Sequence, residues 1–142
     1  MKTVLVVDDD LGFAFWLGQA LDRAGYETWP ALSVPAAESL LAKVKLAVDL
    51  LVINATLPQA LAFATHLGRA RTDFKVIAVY EGSHSDVRSF PDATAVLHKP
   101  ETIDTVAKME WVQIVTGVLA VRSGTAVNCR PPQSGGFRRS PQ

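Results

Sequence analysis

The chain has 142 residues, enough for one domain, and 49% of them are apolar, well above what a disordered chain carries. Lys+Arg and Asp+Glu number 14 each, so the formal net charge is zero and no field of one sign gathers nucleic acid or an anionic membrane surface. The single cysteine, Cys129, can close no internal disulfide, which fits a reducing compartment.

The opening MKTVLVVDDD has a short apolar run cut off by three acids, so neither a signal peptide nor a membrane anchor is expected. No later run approaches the roughly eighteen apolar residues that span a bilayer. A cytoplasmic domain follows as the default expectation.

Short β-branched runs then alternate with helical patterns, the signature of a parallel sheet with helices on both faces. TVLVV is the first strand, and LGFAFWLGQALDRAG has apolar residues at helical spacing with Gly25 as its stop. YETWPA is a shorter, less hydrophobic strand, expected nearer an edge. Ser33 is placed to cap a helix through about Val44, with Pro35 in its first turn. DLLVI is apolar almost throughout, as a central strand covered on both faces should be.

Pro58 ends the turn that follows, and ALAFATHLGRA is expected to be helical despite Gly68. KVIAVY is the fourth strand and TAVLH a weak fifth, separated by a polar stretch in which Pro91 allows only a short helix. The last helix is expected to start just after Pro100. Residues 1–121 form the domain; from Arg122 to the end no apolar period remains, and 122–142 is expected to be a disordered tail.

Open parallel sheets place their ligands at the carboxyl ends of the strands. Here those ends carry Asp8, Asp9 and Asp10 after strand one, Asn54 after strand three, Tyr80 and Glu81 after strand four, and Lys99 with Pro100 after strand five. Asp10 also has the position of a helix cap. Acids facing a lysine across a sheet end suggest a divalent metal and a phosphoryl group.

VLVVDDD, ALDRAGYETWPA, DLLVINATLP with its proline four after Asn54, and LHKP come in this order, and together they resemble the CheY-like receiver domain of two-component response regulators. The resemblance covers about residues 3–120. It implies a doubly wound (βα)5 fold with strand order 2-1-3-4-5, shortened here around the third and fourth helices. It also implies that Asp8 and Asp9 are the Mg²⁺ acids, Lys99 the phosphoryl-contacting lysine, Tyr80 and Val96 the two switch positions, and Asn54 the phosphoacceptor position.

The departures from that pattern point one way. An amide oxygen is a poor nucleophile, so Asn54 should not take a phosphoryl group. It also removes a charge from the Mg²⁺ shell, so that binding is expected to be weak or absent. Tyr80 puts a ring where the family has a small hydroxyl, Glu81 puts an anion beside the donor's entry, and Val96 replaces an aromatic. The reading is a non-enzymatic pseudo-receiver, a protein-interaction module without phosphorylation.

Its expected partner is a histidine kinase, a response regulator or an output protein. The alternative is a working receiver phosphorylated on a non-standard acid, or on Asn54 altered after synthesis. A flavodoxin-like electron carrier shares the strand order, but DDDLGF is acidic where a phosphate loop is needed.

Asn54 also reads as a turn residue whose side chain bonds the following backbone. His66, His84 and His98 share no ligand spacing. On the last helix, Ile103, Val106, Ala107, Ile114, Val118 and Val121 form one apolar stripe, expected to meet the sheet. Trp111, Val112, Val115 and Leu119 then fall outside it, covered either by the tail or by a partner, with a homodimer one outcome.

Overall fold

The computed structural model describes residues 1–70, 73–81 and 93–120. Five strands form one parallel sheet: β1 (Thr3–Val7), β2 (Glu27–Ala31), β3 (Leu50–Asn54), β4 (Lys75–Tyr80) and β5 (Ala95–His98). Their order across the sheet is β2-β1-β3-β4-β5, the doubly wound order the sequence leads one to expect. The described helices are α1 (Leu11–Arg23), α2 (Val34–Val44), α3 (Ala60–Ala70) and α4 (Thr105–Ala120). The expectations of a short fourth helix and a disordered tail concern residues 82–92 and 122–142, outside the described residues, as do His84 and Cys129.

Strand alternation divides the core into two layers. Leu5, Val7, Leu51, Ile53, Ala78 and Tyr80 face α2 and α3, where they meet Val34, Ala37, Phe63 and Ala64. Val4, Val6, Leu50, Val52, Ile77 and Val79 face α1 and α4, against Phe13, Leu17, Trp111 and Val115. The central strands β1, β3 and β4 are buried throughout, which explains the apolar runs Val4–Val7, Leu50–Ile53 and Val76–Tyr80.

β2 is an edge strand, as its composition suggests. Glu27 N–H donates to Lys2 O and Ala31 O accepts from the Asp8 N–H, at the two ends of β1, so by alternation the backbone of Pro30 faces away from the sheet. A residue without an N–H is tolerated there, and it blunts the open edge. Ser33 caps α2 by accepting the Ala36 N–H, with proline in the first turn.

The last helix departs from expectation twice. Asp104 accepts the Ala107 N–H, so α4 starts at Thr105 and Ile103 precedes it. The inward face is Ala107, Trp111, Val115 and Val118. Ala107 and Val118 of the predicted stripe face inward and Ile114 is half-buried, but Val106 is 65% exposed, while Trp111 and Val115, expected outside the stripe, are buried; Val121 lies outside the described residues. Val112 and Leu119 are half-buried. Trp111 and Val115 therefore cannot form a free interface. The reason is that α4 is apolar on nearly every side, so periodicity alone does not select a face. Burial of its largest side chain does, with the Phe13 ring packing edge-on to Trp111 at 5.4 Å.

Candidate functional site

Asp8 extends the alternation of Val4 and Val6, so its carboxylate turns toward the α1/α4 side and is 1% exposed. Asp9, one residue on, turns out into solvent. Asp10 starts α1: its Oδ1 accepts the Phe13 N–H, and its own N–H donates to Asp8 Oδ1 at 2.8 Å. The acid that joins Asp8 near the lysine is thus Asp10, and Asp9 stands apart.

Lys99 follows β5, and its N–H donates to Tyr80 O, which fixes the two strand ends side by side. The Lys99 ammonium lies 2.9 Å from Asp8 Oδ2, 2.8 Å from Glu81 Oε2 and 3.5 Å from Asp10 Oδ2. It also sits over the Phe13 ring, 4.9 Å from the centroid. The Lys99 side chain is only 9% exposed, whereas those of Asp10 and Glu81 are 45% and 54% exposed and form the mouth. Glu81 is consequently an ion-pair partner of the lysine as well as an anion at the entrance.

Burial alone pulls the Lys99 amine down, but hydrogen bonds and charge from Glu81 and Asp8 outweigh it and hold the amine above its ordinary value. The Asp10 carboxyl lies below its ordinary value. Its bond from the Phe13 N–H is the largest cause, burial opposes it, and the Lys99 charge adds to the lowering.

Asn54 is 1% exposed at the end of β3. Its Oδ1 accepts from the Thr56 N–H at 2.9 Å and from the Thr56 hydroxyl at 2.6 Å. Its Nδ2 donates toward Asp8 Oδ1 at 3.4 Å. The backbone donor of Thr56 decides which way round the amide stands, so nitrogen rather than oxygen faces the carboxylate. The turn-residue reading of Asn54 and its place beside Asp8 both hold.

Tyr80 and Val96 lie on the opposite side of the sheet from Asp8. The Tyr80 ring is 1% exposed in the α2/α3 layer, with Val96 packed against that layer and the His98 ring 6.4 Å away. Tyr80 is therefore a core residue; its ring belongs to the far layer, not to the acidic pocket. His66 and His98 are exposed.

Thr56 and Phe13 are the members that the motifs did not indicate as such. A hydroxyl residue two after an Asn is a recurrent turn pattern. The Phe13 contact depends on β5 reaching α1 and has no local signal.

A divalent cation of the size of Mg²⁺ needs oxygen ligands at about 2.0–2.1 Å in near-octahedral array. The donor set here disagrees with that. The Asn54 side-chain oxygen is already used by Thr56, and both Asp8 oxygens are engaged with an ammonium. Among the described residues, no three His, Cys, Asp or Glu side chains are placed to hold a metal ion.

No protein-family model matches the sequence, and no curated protein matches it closely. Solved structures do. The response regulator TrrA from Thermotoga maritima, in complex with Mg²⁺ and BeF, is 26% identical, with 83% of this chain and 99% of that one covered and a TM-score of 0.65. The non-phosphorylated HemR receiver domain from Leptospira biflexa is 21% identical, covering 86% and 97%, at a TM-score of 0.68. A Burkholderia pseudomallei response regulator with a phosphorylated aspartic acid and a calcium ion is 19% identical, covering 82% and 75%, at 0.60. With this topology and these neighbours, the chain has the CheY-like fold of response-regulator receiver domains.

Proposed function

We propose that the chain works in two-component signalling as a receiver-like interaction module that signals without being phosphorylated and catalyses no reaction. The observation that carries this reading is the Asn54 amide, buried beside Asp8 with its oxygen committed to Thr56. An amide is too weak a nucleophile to attack a phosphodonor, and here even its oxygen faces away from the acidic pocket.

Change of Asn54 to an acid after synthesis is also disfavoured. Spontaneous deamidation needs the next backbone nitrogen to attack the side chain, and the Ala55 N–H is bonded to Val79 O at 2.9 Å. Asp10 and Glu81 are the exposed carboxylates nearest Lys99, so they are the residues on which the alternative, a phosphorylated non-standard acid, would have to run.

The partner under this reading is another signalling protein of the cytoplasm: a histidine kinase, a response regulator or an output protein. No described helix is long and apolar enough to cross a membrane. On α4 the side chains left for such a contact, or for a homodimer, are exposed Val106 and Met109 with half-buried Val112 and Leu119.

The test is to measure binding of a purified cognate kinase or regulator before and after treatment with acetyl phosphate. The reading expects the affinity to be unchanged. A large change that tracks a phosphoryl group on this chain would overturn it.

A further inference from the structure

The acidic end of the sheet already contains a cation. Three carboxylates on three different segments converge on one atom: Asp8 from the end of β1, Asp10 from the cap of α1, and Glu81 from the end of β4, all within 2.8–3.5 Å of Lys99 Nζ. An ammonium has three N–H donors, and one is available for each carboxylate. The Phe13 ring beneath adds a fourth favourable contact for a cation at 4.9 Å. The 2.8 and 2.9 Å contacts to Glu81 and Asp8 suit N–H···O bonds, the 3.5 Å contact to Asp10 is a longer ion pair, and all three are too long for metal–oxygen bonds.

We infer that Lys99 is the permanent cation of this pocket, a tethered ammonium that takes the place of an exchangeable divalent ion, with Asp8 as its buried partner and Glu81 as its outer one. Asn54 brings no charge to the strand ends, and Glu81 brings one back at the neighbouring strand, 2.8 Å from the ammonium. The lysine is drawn between Asp8 and Glu81 and fills the point where their negative potentials overlap. A dissolved ion must displace a charge that cannot diffuse away, because Lys99 is bound to the chain and its strand end is pinned to Tyr80 O. Occupancy of the pocket is then independent of the metal concentration around the protein. This is separate from whether residue 54 takes a phosphoryl group, and it has its own readout.

The test is titration of the full chain with Mn²⁺, followed by electron paramagnetic resonance of the free ion and by thermal unfolding. For the wild type, no binding and no shift in Tm are expected up to several times about 1 mM, the weak end of protein cation sites. Glu81→Gln changes an exposed residue; it should stay folded, and Lys99 should still exclude Mn²⁺ from its place on Asp8.

Lys99→Met removes the resident charge and leaves Asp8, Asp10 and Glu81 facing an empty centre. It should bind Mn²⁺ at least about tenfold more tightly than the wild type, since the three carboxylates then carry negative charge that no resident cation offsets, and net ligand charge sets the affinity of such sites. If that variant does not fold alone, because buried Asp8 has lost its counter-charge, added Mn²⁺ should restore a cooperative unfolding transition. Sub-millimolar Mn²⁺ binding by the wild type would overturn the inference. So would a Lys99→Met protein, folded or not, that is indifferent to Mn²⁺.

Discussion

Asn54 and Thr56 are bound to each other twice: the Asn54 oxygen accepts both the backbone N–H and the hydroxyl of Thr56, at 2.9 and 2.6 Å. This pair turns the amide so that its nitrogen points at Asp8, and it shapes the turn that leads toward α3. Thr56→Val keeps the backbone bond and loses the other. Stability should fall by about 1 kcal/mol, the net worth of one partly buried hydrogen bond, measurable by urea unfolding at constant slope.

Asn54→Asp returns a nucleophile but places a second carboxylate beside one that is 1% exposed. Like charges at that separation cannot both ionise cheaply, so the pair should titrate with one raised value. A carboxyl whose folded value is raised costs stability above that value, and the cost disappears as pH falls through it. The variant should be less stable than the wild type by about 1–3 kcal/mol at pH 7, with the gap closing as the solution is acidified. Thermal unfolding of the two proteins across pH measures this. Restoring the acid alone should also leave phosphorylation slow, because Glu81 still sits on the lysine that a phosphoryl group would need.

The helix facing gives a sharper contrast. Val115 is fully buried against α1 and the sheet, whereas Met109 is 59% exposed on the same helix. Val115→Glu buries an unpaired charge and should destabilise by more than about 3 kcal/mol, enough to unfold a marginal domain. Met109→Lys should lie within about 0.5 kcal/mol of wild type, as surface changes do. Equal tolerance of both substitutions in circular dichroism melts would mean that α4 packs with another face.

The sequence made the strands legible because β1, β3 and β4 are covered on both faces and so are apolar along all but one terminal residue each. The edge position of β2 could be read from its Glu, Thr and Pro. Asp8, Asn54 and Lys99 were legible as a group because parallel topology brings strand ends together.

What could not be read depends on contacts between distant segments. The direction of α4 is fixed by Trp111 meeting Phe13, since its own apolar residues are spread around nearly the whole helix. The exchange of Asp9 for Asp10 follows from the strand pleat and the α1 cap acting together. The pairing of Glu81 with Lys99 needs the β4–β5 register. Tyr80 looked like an obstruction from its position alone, but alternation sends its ring into the other layer.

Charge in the pocket sets a pH window. Asp10 is held below its ordinary 3.8, so the stability it contributes is present above that value and is lost as pH falls through its lower folded value. Lys99 is held above its ordinary 10.5, so its contribution is complete below 10.5 and is lost as pH rises through the higher folded value. Asp10→Asn should therefore be less stable than the wild type at pH 7 by a small amount, since Asp10 is largely solvated, and the difference should vanish in strong acid. Paired unfolding curves from pH 2 to 7 (roughly the span of a shifted Asp) give the comparison.

The most direct measurement is the intact mass of the wild-type chain after incubation with acetyl phosphate and Mg²⁺, and separately with a phosphorylated histidine kinase. The mass should be unchanged in both, since Asn54 offers no nucleophile and Asp8 is locked onto Lys99. A stoichiometric gain of one phosphoryl group, mapped by peptide fragmentation to Asn54, Asp8, Asp10 or Glu81, would contradict it.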